Sequence, residues 1–193
     1  MRLFKLSASK VCRFCLRTII VTLLTGCRVG SEAETPLDYL VIGIESSPSH
    51  LDPRYAMDAN SARVSSLIYS SLLRLDNQSR LVGDLAEHWT MIDAQTYSFR
   101  IRKGVTFHDG RALTARDVKY TYDSIMDHRN RSPKRGPLRV LESVEQLGTQ
   151  EVRFHLSEPY APFLEHCTIG IVPVDSGMPG EDGRQHAPPG SGP

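Results

Sequence analysis

The stretch YSFRIRKGVTFHDG at residues 97–110, followed by LTARDV at residues 113–118, decides the fold of this chain. Apolar and polar residues alternate over residues 97–102, which predicts a β-strand with one buried face, and the Asp-Gly pair that closes the first stretch is typical of a turn. Thr114 and Asp117 have the spacing of a capping box, which predicts that a helix begins there. The buried face of this helix should comprise Val118, Tyr122, Ile125 and Met126.

Upstream of this stretch, the pattern predicts further short elements. Residues 40–44 (LVIGI) form an apolar run that is typical of a buried strand. A helix should start at an N-cap provided by Asp58 or Asn60, and residues 73–75 should form a short strand. The apolar face of the helix should comprise Val64, Leu67, Ile68, Ser71 and Leu72. Before the first long strand, the inward-facing residues should be Leu85, Ala86 and Trp89.

Downstream, alternation over residues 152–156 predicts another strand, residues 158–164 (EPYAPFL) predict a turn into a short helix, and residues 169–172 form a last apolar run. Short strands mixed with helices of different lengths indicate an α/β or an α+β fold. Residues 128–137 (HRNRSPKRGP) are basic, which is typical of a solvated connector. Residues 175–193 contain five glycines, four prolines and no Val, Ile, Leu or aromatic residue, so we expect a loosely held tail.

Charge is unevenly distributed along the chain. The 193 residues carry 23 basic and 22 acidic side chains, and this length is typical of one or two domains. Five of the basic residues and none of the acidic residues lie in residues 1–26, so the remainder has 18 basic and 22 acidic side chains and a net charge of −4. The balanced total gives no basic signature of a nucleic-acid partner, and removal of residues 1–26 would leave a mildly acidic chain, which weakens that possibility further.

The first 26 residues have the order of a secretory signal peptide, with a basic front, the apolar run TIIVTLL at residues 18–24 and then small residues. The apolar run is far shorter than the ~20 residues that a membrane-spanning helix needs. The sequence LTGC at residues 24–27 resembles a bacterial lipobox, which predicts lipidation of Cys27, with residues 27–37 as a tether. The alternative is an ordinary signal peptide with a chance cysteine.

No combination of residues indicates catalysis or a metal site. Cys12 and Cys15 have a C-x-x-C spacing, but both lie in the segment expected to be removed. Cys167 stands alone and is typical of a small buried apolar residue. The pair His108 and Asp109 has no partner at a metal-ligand spacing. We therefore expect no enzyme activity, no cofactor and no bound metal.

Four segments taken in order resemble the N-terminal part of the family 5 bacterial extracellular solute-binding proteins, which are the oligopeptide-, dipeptide- and nickel-binding components of ABC importers. These segments are residues 68–75, 81–89, 97–110 and 113–118. Residues 45–53, which end in LDP, are similar to the loop that follows the first strand of the family, and residues 189–193 (PGSGP) are similar to a later segment. Gly83 stands where proline is common in the family, and residues 128–137 match nothing in it.

The resemblance implies an α/β fold of the type II periplasmic-binding-protein kind, of which this chain would form the incomplete N-terminal part of the first lobe. A partial solute-binding domain would span residues 38–174, and residues 175–193 would be a truncated tail. The implied function is that of a lipoprotein of the periplasm or cell envelope, held at the membrane by its lipid anchor. It would capture a peptide or a related small solute and deliver it to ABC permease subunits.

The resemblance also directs attention to the loop after the first predicted strand. Loops that leave strand ends commonly line the ligand cleft in open α/β sheets, so Glu45, Ser46 and Ser47 are the predicted ligand-binding residues. The alternative is that they form only a turn. Residues 190–192 (GSG) are candidates for the border of the cleft or for a hinge. For the whole chain, the alternative is a truncated, non-functional remnant that binds no ligand, because family members are far longer.

Overall fold

The fold is described from a computed structural model that covers residues 41–177 and 187–192. The chain divides into two compact units, Met1–Gly43 and Ile44–Pro193. Only residues 41–43 of the first unit are described, and they have no regular secondary structure. All the described helices and strands belong to the second unit.

Several sequence-based predictions lie outside the described residues. They concern the signal peptide at residues 1–26 with its two cysteines, the lipidation of Cys27 and the tether at residues 27–37. Within the part of the chain that is described, no helix has the length and apolar character needed to cross a membrane.

The described part of the second unit contains two α-helices, six β-strands and three 3₁₀ helices. The α-helices are α1 (Ala59–Ile68) and α2 (Ala115–Met126). The strands are β1 (Leu73–Leu75), β2 (Leu81–Gly83), β3 (Ala86–Asp93), β4 (Thr96–Ile101), β5 (Leu141–Gln146) and β6 (Glu151–Leu156). The 3₁₀ helices are His128–Asn130, Pro133–Arg135 and Ala161–Thr168. Strands β1 and β2 form an antiparallel pair, and the other four form an antiparallel sheet in the order β3-β4-β6-β5.

Aromatic side chains from three elements meet around β6 in the hydrophobic core. The ring centroid of Phe154 lies 5.4 Å from Phe99 on β4, 4.9 Å from Tyr122 on α2 and 5.4 Å from Phe163 in the last 3₁₀ helix. Edge-on and tilted ring contacts stabilise such pairs beyond the apolar area that they bury. The alternating burial predicted for β4 and β6 is confirmed. The buried residues of these two strands are Tyr97, Phe99, Ile101, Val152, Phe154 and Leu156.

The start and the buried face of α2 are also as predicted. The backbone N–H of Thr114 donates to Oδ2 of Asp117 at 2.9 Å, as a capping box requires. The helix buries Val118, Tyr122 and Ile125, and Met126 is half-buried. Strand β6 lies between β4 and β5, so the connection from β4 through α2 to β5 crosses β6 on the face that the helix covers.

The buried face of α1 differs from the prediction. Asp58 is the N-cap, as one of the two expected candidates, and its carboxylate accepts from the Ser61 N–H at 2.8 Å. The helix buries Ser61 and Ser65, whereas Leu67 is 53% exposed. The backbone N–H of His50 donates to Oγ of Ser61 at 3.1 Å. The small serines let the preceding loop lie against the helix, so polar contacts determine this face.

Helix α1 also ends earlier than the predicted apolar face requires. Tyr69 has an extended backbone (φ −121°, ψ 131°), so Ser71 and Leu72 lie outside the helix. The Ile68 carbonyl accepts from the N–H groups of residues 191 and 192 at 3.0 and 2.8 Å. A distant segment thus takes the place of the next helical turn, and the chain continues into the predicted strand β1.

Residues 41–44 do not form the predicted buried strand. They have no regular secondary structure, and Val41, Ile42 and Ile44 are 74%, 52% and 38% exposed. Leu40 lies outside the described residues. A strand needs a neighbour to satisfy its backbone hydrogen-bonding groups, and none of the described strands pairs with residues 41–44. The prediction is wrong for this segment.

The other apolar segments are close to expectation. Leu85 and Ala86 are 2% and 1% exposed, and Trp89 is half-buried. The short helix expected after residue 158 is the 3₁₀ helix Ala161–Thr168. Cys167 within it is fully buried, as expected for a small apolar residue.

Candidate functional site

The predicted ligand-binding residues lie together on one exposed loop in front of α1. Glu45, Ser46 and Ser47 are all exposed. The side-chain amide of Asn60 donates to Oγ of Ser46 at 2.7 Å and to its carbonyl oxygen at 3.1 Å. The side chains of Glu45 and Ser47 make no hydrogen bond or ion pair with another described residue. The loop is thus attached to α1 through its middle residue, and its other two polar side chains are available.

The N-cap of α1 holds the next part of this loop. The hydroxyls of Ser49 and Ser61 each donate to Oδ2 of Asp58 at 2.5 Å. These two hydrogen bonds, with the bond from the Ser61 N–H, hold the pKa of Asp58 well below its ordinary value because they stabilise the charged form. The carboxylate therefore joins the loop at residues 45–50 to the first turn of the helix.

A buried ion pair anchors the chain just after the loop. Nη2 of Arg54 lies 2.7 Å from Oδ2 of Asp52, and the two side chains are 0% and 1% exposed. Burial alone would lower the pKa of Arg54, but the hydrogen bond and charge of Asp52 raise it above its ordinary value. Arg54 also donates to the hydroxyl of Ser124 on α2 at 3.3 Å and to the carbonyl of Gly177 at 2.7 Å. The segment at residues 51–54 therefore attaches the loop to α2.

Two open cavities adjoin one another beside the C-terminal end of α1. Their volumes are about 560 and 530 Å³, and the residues common to both are Ser66, Tyr69, Arg74 and Asp84. Burial raises the pKa of Tyr69, so its hydroxyl stays neutral and donates to the Pro188 carbonyl at 2.8 Å. Residues 45–47 line neither cavity.

The walls of these two cavities carry charges of both signs. Lys134 contributes a cation to the first cavity and Arg102 to the second, while Arg74 and Asp84 face both. Burial lowers the pKa of Lys134 because it disfavours the charged form. The Asp84 carboxylate accepts from the Ser71 N–H at 2.8 Å, which fixes its orientation. Three cations and one carboxylate can hold a small solute that bears a carboxylate and an amine.

Residues 187–192 pack against the end of α1, so the expectation of a loosely held tail is wrong for them. The N–H of Ser70 donates to Oγ of Ser191 at 3.2 Å, and the Ser70 hydroxyl donates to the Ser191 carbonyl at 3.0 Å. Ser191 is 6% exposed. A Cβ at Gly190 would lie 2.2 Å from the Ile68 carbonyl oxygen, so only glycine fits this approach. Ser191 and Gly192 line the second cavity. That residues 190–192 border a ligand cleft or form a hinge stays a prediction.

His108 belongs to the same arrangement. Its backbone N–H donates to the Gly190 carbonyl at 2.7 Å, and its Nε2 lies 3.1 Å from the Gly192 carbonyl oxygen. Gly110 completes the turn with a positive φ of 85°, a conformation that glycine adopts without strain. The FHDG turn therefore presents a histidine that holds the segment at residues 187–192.

Asp117 joins three parts of the chain. Its Oδ1 accepts from Arg111 at 2.9 Å and from the Val174 N–H at 3.0 Å, and its Oδ2 accepts from the Thr114 N–H at 2.9 Å. The side chain is 1% exposed. A buried carboxylate with this many partners holds structure together and is not accessible to a solute.

Among the described residues there is no candidate metal site, and the one described thiol is buried. Across residues 41–177 and 187–192, no three side chains of His, Cys, Asp or Glu are grouped as a metal site requires. Burial raises the pKa of the Cys167 thiol, which is therefore a weak nucleophile.

Sequence reasoning missed the residues that line the two cavities. Arg74 lies between two leucines in β1. Because successive side chains of a strand point to opposite faces, this apolar–charged–apolar pattern could have predicted that Arg74 faces outward. Asp84 lies in a segment used for the family resemblance, but nothing local indicates its bond to Ser71. Ser191 lies 121 positions from its partner Ser70, so no local pattern reveals that contact.

Comparison with known proteins gives the class of the molecule. The structure of NikZ from Campylobacter jejuni in complex with Ni(L-His) matches with a TM-score of 0.73 and 30% identity, over 82% of this chain and 33% of NikZ. The oligopeptide-binding protein AppA of Bacillus subtilis is 31% identical over 165 residues, which are 80% of this chain and 30% of AppA. Its structure with a nonapeptide matches with a TM-score of 0.68. The fold is part of that of the type II periplasmic binding proteins.

The family follows from the sequence match. Residues 80–193 match the family described as bacterial extracellular solute-binding proteins, family 5 Middle, and this chain belongs to that family. Protein XP55 of Streptomyces lividans is 35% identical over 148 residues, which are 75% of this chain and 26% of XP55. The chain thus spans about a quarter to a third of the length of the relatives it matches.

Proposed function

We propose that this chain acts as the solute-binding lipoprotein of an ABC importer, which captures a peptide or a related small solute outside the cytoplasmic membrane for import. The observation that carries the proposal is the likeness, at 30% and 29% identity, to NikZ with Ni(L-His) and to AppA with a nonapeptide. Family membership over residues 80–193 supports the same role. The chain would bind its solute and release it to permease subunits, without making or breaking covalent bonds in the solute.

Glu45, Ser46 and Ser47 are the proposed ligand contacts. A carboxylate at residue 45 suits an amino group of the solute, and the hydroxyl of Ser47 suits its backbone or polar groups. The bonds from Asn60 to Ser46 and from Ser49 to Asp58 hold the loop in one arrangement. A loop that is already ordered loses less conformational freedom when it binds.

Calorimetric titration of the purified full chain tests the binding role. The probes are a nonapeptide of mixed sequence and Ni(L-His), and we expect saturable binding of one of them with a Kd of about 1–10 μM or tighter. Glu45→Gln should weaken that binding about tenfold. Glu142→Gln, at an exposed position on β5, is the matched control and should leave it unchanged.

Arg74→Gln distinguishes ligand binding at the loop from ligand binding in the two cavities. If this substitution abolishes binding and Glu45→Gln has no effect, the ligand contacts lie in the cavities, and the assignment of residues 45–47 is overturned. If the wild-type chain binds neither probe, the result favours a remnant without ligand binding.

The proposed lipid anchor has a separate test. Cells that express the chain are labelled with radioactive palmitate and then fractionated. We expect label on the wild-type chain in the cell-envelope fraction, no label on Cys27→Ser, and normal labelling of Cys15→Ser. Label that persists on Cys27→Ser would overturn the assignment of Cys27 and leave the binding proposal untouched.

A further inference from the structure

Three arginines surround a concavity at the connection between α2 and β5. The concavity has a volume of about 420 Å³. Its lining residues are Met126, His128, Arg131, Ser132, Arg135, Gly136 and Arg139. No carboxylate is among them, so the guanidinium groups of Arg131, Arg135 and Arg139 give the lining a strongly positive charge.

Asp127, which lies between the lining residues Met126 and His128 in sequence, already has a partner. Nη2 of Arg129 lies 2.6 Å from Oδ2 of Asp127, and Arg129 does not line the concavity. The hydrogen bond from Arg129 lowers the pKa of Asp127 to about 2. Nδ1 of His128 lies 3.8 Å from the same carboxylate. The negative charge of Asp127 is thus balanced by Arg129, and the three lining arginines keep their net charge.

These three arginines have no anionic partner within the described residues. Nε of Arg135 donates to the Met126 carbonyl at 3.0 Å, which is an uncharged acceptor. The side chains of Arg131 and Arg139 make no hydrogen bond or ion pair in the described part of the chain. Most guanidinium donors around the concavity are therefore available to a ligand.

The backbone that carries the first of these arginines is fixed to the core, and the connector is more ordered than its sequence predicts. The hydroxyl of Tyr55 donates to the Asn130 carbonyl at 2.7 Å, and the Asn130 amide donates to the Ser124 carbonyl at 2.8 Å. On the other side of Arg131, the buried hydroxyl of Ser132 donates to the Arg54 carbonyl at 2.7 Å. Arg131 therefore stands between two anchored neighbours.

We propose that this concavity binds a phosphate group. Three guanidinium groups that line one concavity without a counter-charge repel one another, and an anion that enters between them relieves this repulsion. The planar donor pairs of arginine match the oxygens of phosphate better than a point charge does. Anchored backbone lowers the conformational cost of binding. The site is independent of the proposed cargo contacts, because it shares no residue with the loop at residues 45–47 or with the two cavities.

Two sources can supply this phosphate, a small phosphorylated solute or a phospholipid headgroup, and two assays distinguish them. Every protein carries Cys27→Ser, so that no acyl chain contributes to vesicle binding. Calorimetric titration with inorganic pyrophosphate tests the small solute. Co-sedimentation with phosphatidylglycerol vesicles, compared with phosphatidylcholine vesicles, tests the headgroup.

The decisive variant is Arg131→Gln/Arg135→Gln/Arg139→Gln. Its matched control is Arg63→Gln/Arg100→Gln/Arg116→Gln, which removes the same three charges from exposed positions outside the concavity. We expect binding to pyrophosphate or to phosphatidylglycerol that weakens as salt rises from about 50 to about 200 mM. The concavity variant should weaken it about tenfold or more, and the control should weaken it less than about twofold.

Each outcome has one reading. Loss of pyrophosphate binding in the concavity variant identifies a small phosphorylated solute, and loss of selective vesicle binding identifies the headgroup. No binding in either assay, or equal losses in variant and control, overturns the proposal. If circular dichroism shows that the triple variant is unfolded, Arg139→Gln alone decides by the same readouts, because its side chain makes no bond within the described residues.

Discussion

The FHDG turn and α2 cap at residues 107–117 differ from the loop at residues 45–50 in how their polar side chains are used. His108 and Asp117 both bond to distant backbone groups inside the molecule. On the loop, the side chains of Glu45 and Ser47 are exposed and make no such bond among the described residues. The polar side chains at residues 107–117 thus stabilise the fold, while the loop at residues 45–50 carries polar groups that a solute can reach.

The largest expected effect comes from breaking the anchor behind the loop. Arg54→Met leaves the Asp52 carboxylate buried without its cation, which should lower the free energy of unfolding by about 3–5 kcal/mol. Chemical denaturation followed by circular dichroism measures the change. Arg63→Met, on the exposed side of α1, should change it by less than about 0.5 kcal/mol. Similar small effects for both would show that the loop does not depend on the ion pair.

A substitution of Asp117 tests whether the FHDG turn and the α2 cap stabilise the fold. Asp117→Ala leaves the N–H groups of Thr114 and Val174 without their acceptor, so we expect a loss of about 2–3 kcal/mol in the free energy of unfolding. Asp123→Ala on the same helix removes a carboxylate that is 49% exposed and pairs with Lys119. That control should lose at most about 1 kcal/mol, and an equal loss in both would contradict a special role for Asp117.

Gly190→Ala tests whether close approach to α1 holds the segment at residues 187–192. The added Cβ would collide with the Ile68 carbonyl, which should destabilise the protein by about 1–2 kcal/mol. Amide hydrogen exchange at Ser191 and Gly192 should become faster, because both donate to that carbonyl. Gly136→Ala is the control. Gly136 has a φ of −59°, which alanine also adopts, and no atom lies within 4 Å of the position of the added Cβ. Unchanged exchange in Gly190→Ala would refute the contact.

The smallest effect concerns the exposed pair of Asp127 and Arg129. The carboxyl pKa of Asp127 is lowered from 3.8 to about 2, chiefly by the hydrogen bond from Arg129. The stabilisation that this gives is present above pH 3.8 and is lost as the pH falls towards 2. In an NMR titration, Arg129→Gln should move the midpoint back towards the ordinary value, and Arg131→Gln should not. A midpoint that stays low in Arg129→Gln would contradict the assignment.

Local pattern was sufficient where burial repeats along one element. The alternation at residues 97–102 and 152–156 and the capping box at Thr114 predicted β4, β6 and α2, because one face of each packs on the same core. Pattern failed for α1, where Ser61 and Ser65 are buried and Leu67 is exposed. That burial depends on polar contacts with another segment, which hydrophobic periodicity does not record.

The candidate site was predictable only in part. Turn-forming residues placed Glu45, Ser46 and Ser47 on a loop, and the structure places them there. The cavities that share Arg74 and Asp84 were not predictable, because residues far apart in sequence complete their walls.

The bonds between Ser70 and Ser191 also constrain when the molecule takes shape during synthesis. Because 121 positions separate these partners, the segment that contains Ser191 must be synthesised before the end of α1 can make these contacts. The ribosome synthesises a polypeptide at about 5–20 residues per second. The part of the second cavity wall that Ser191 and Gly192 provide would therefore form several seconds after α1 has been synthesised.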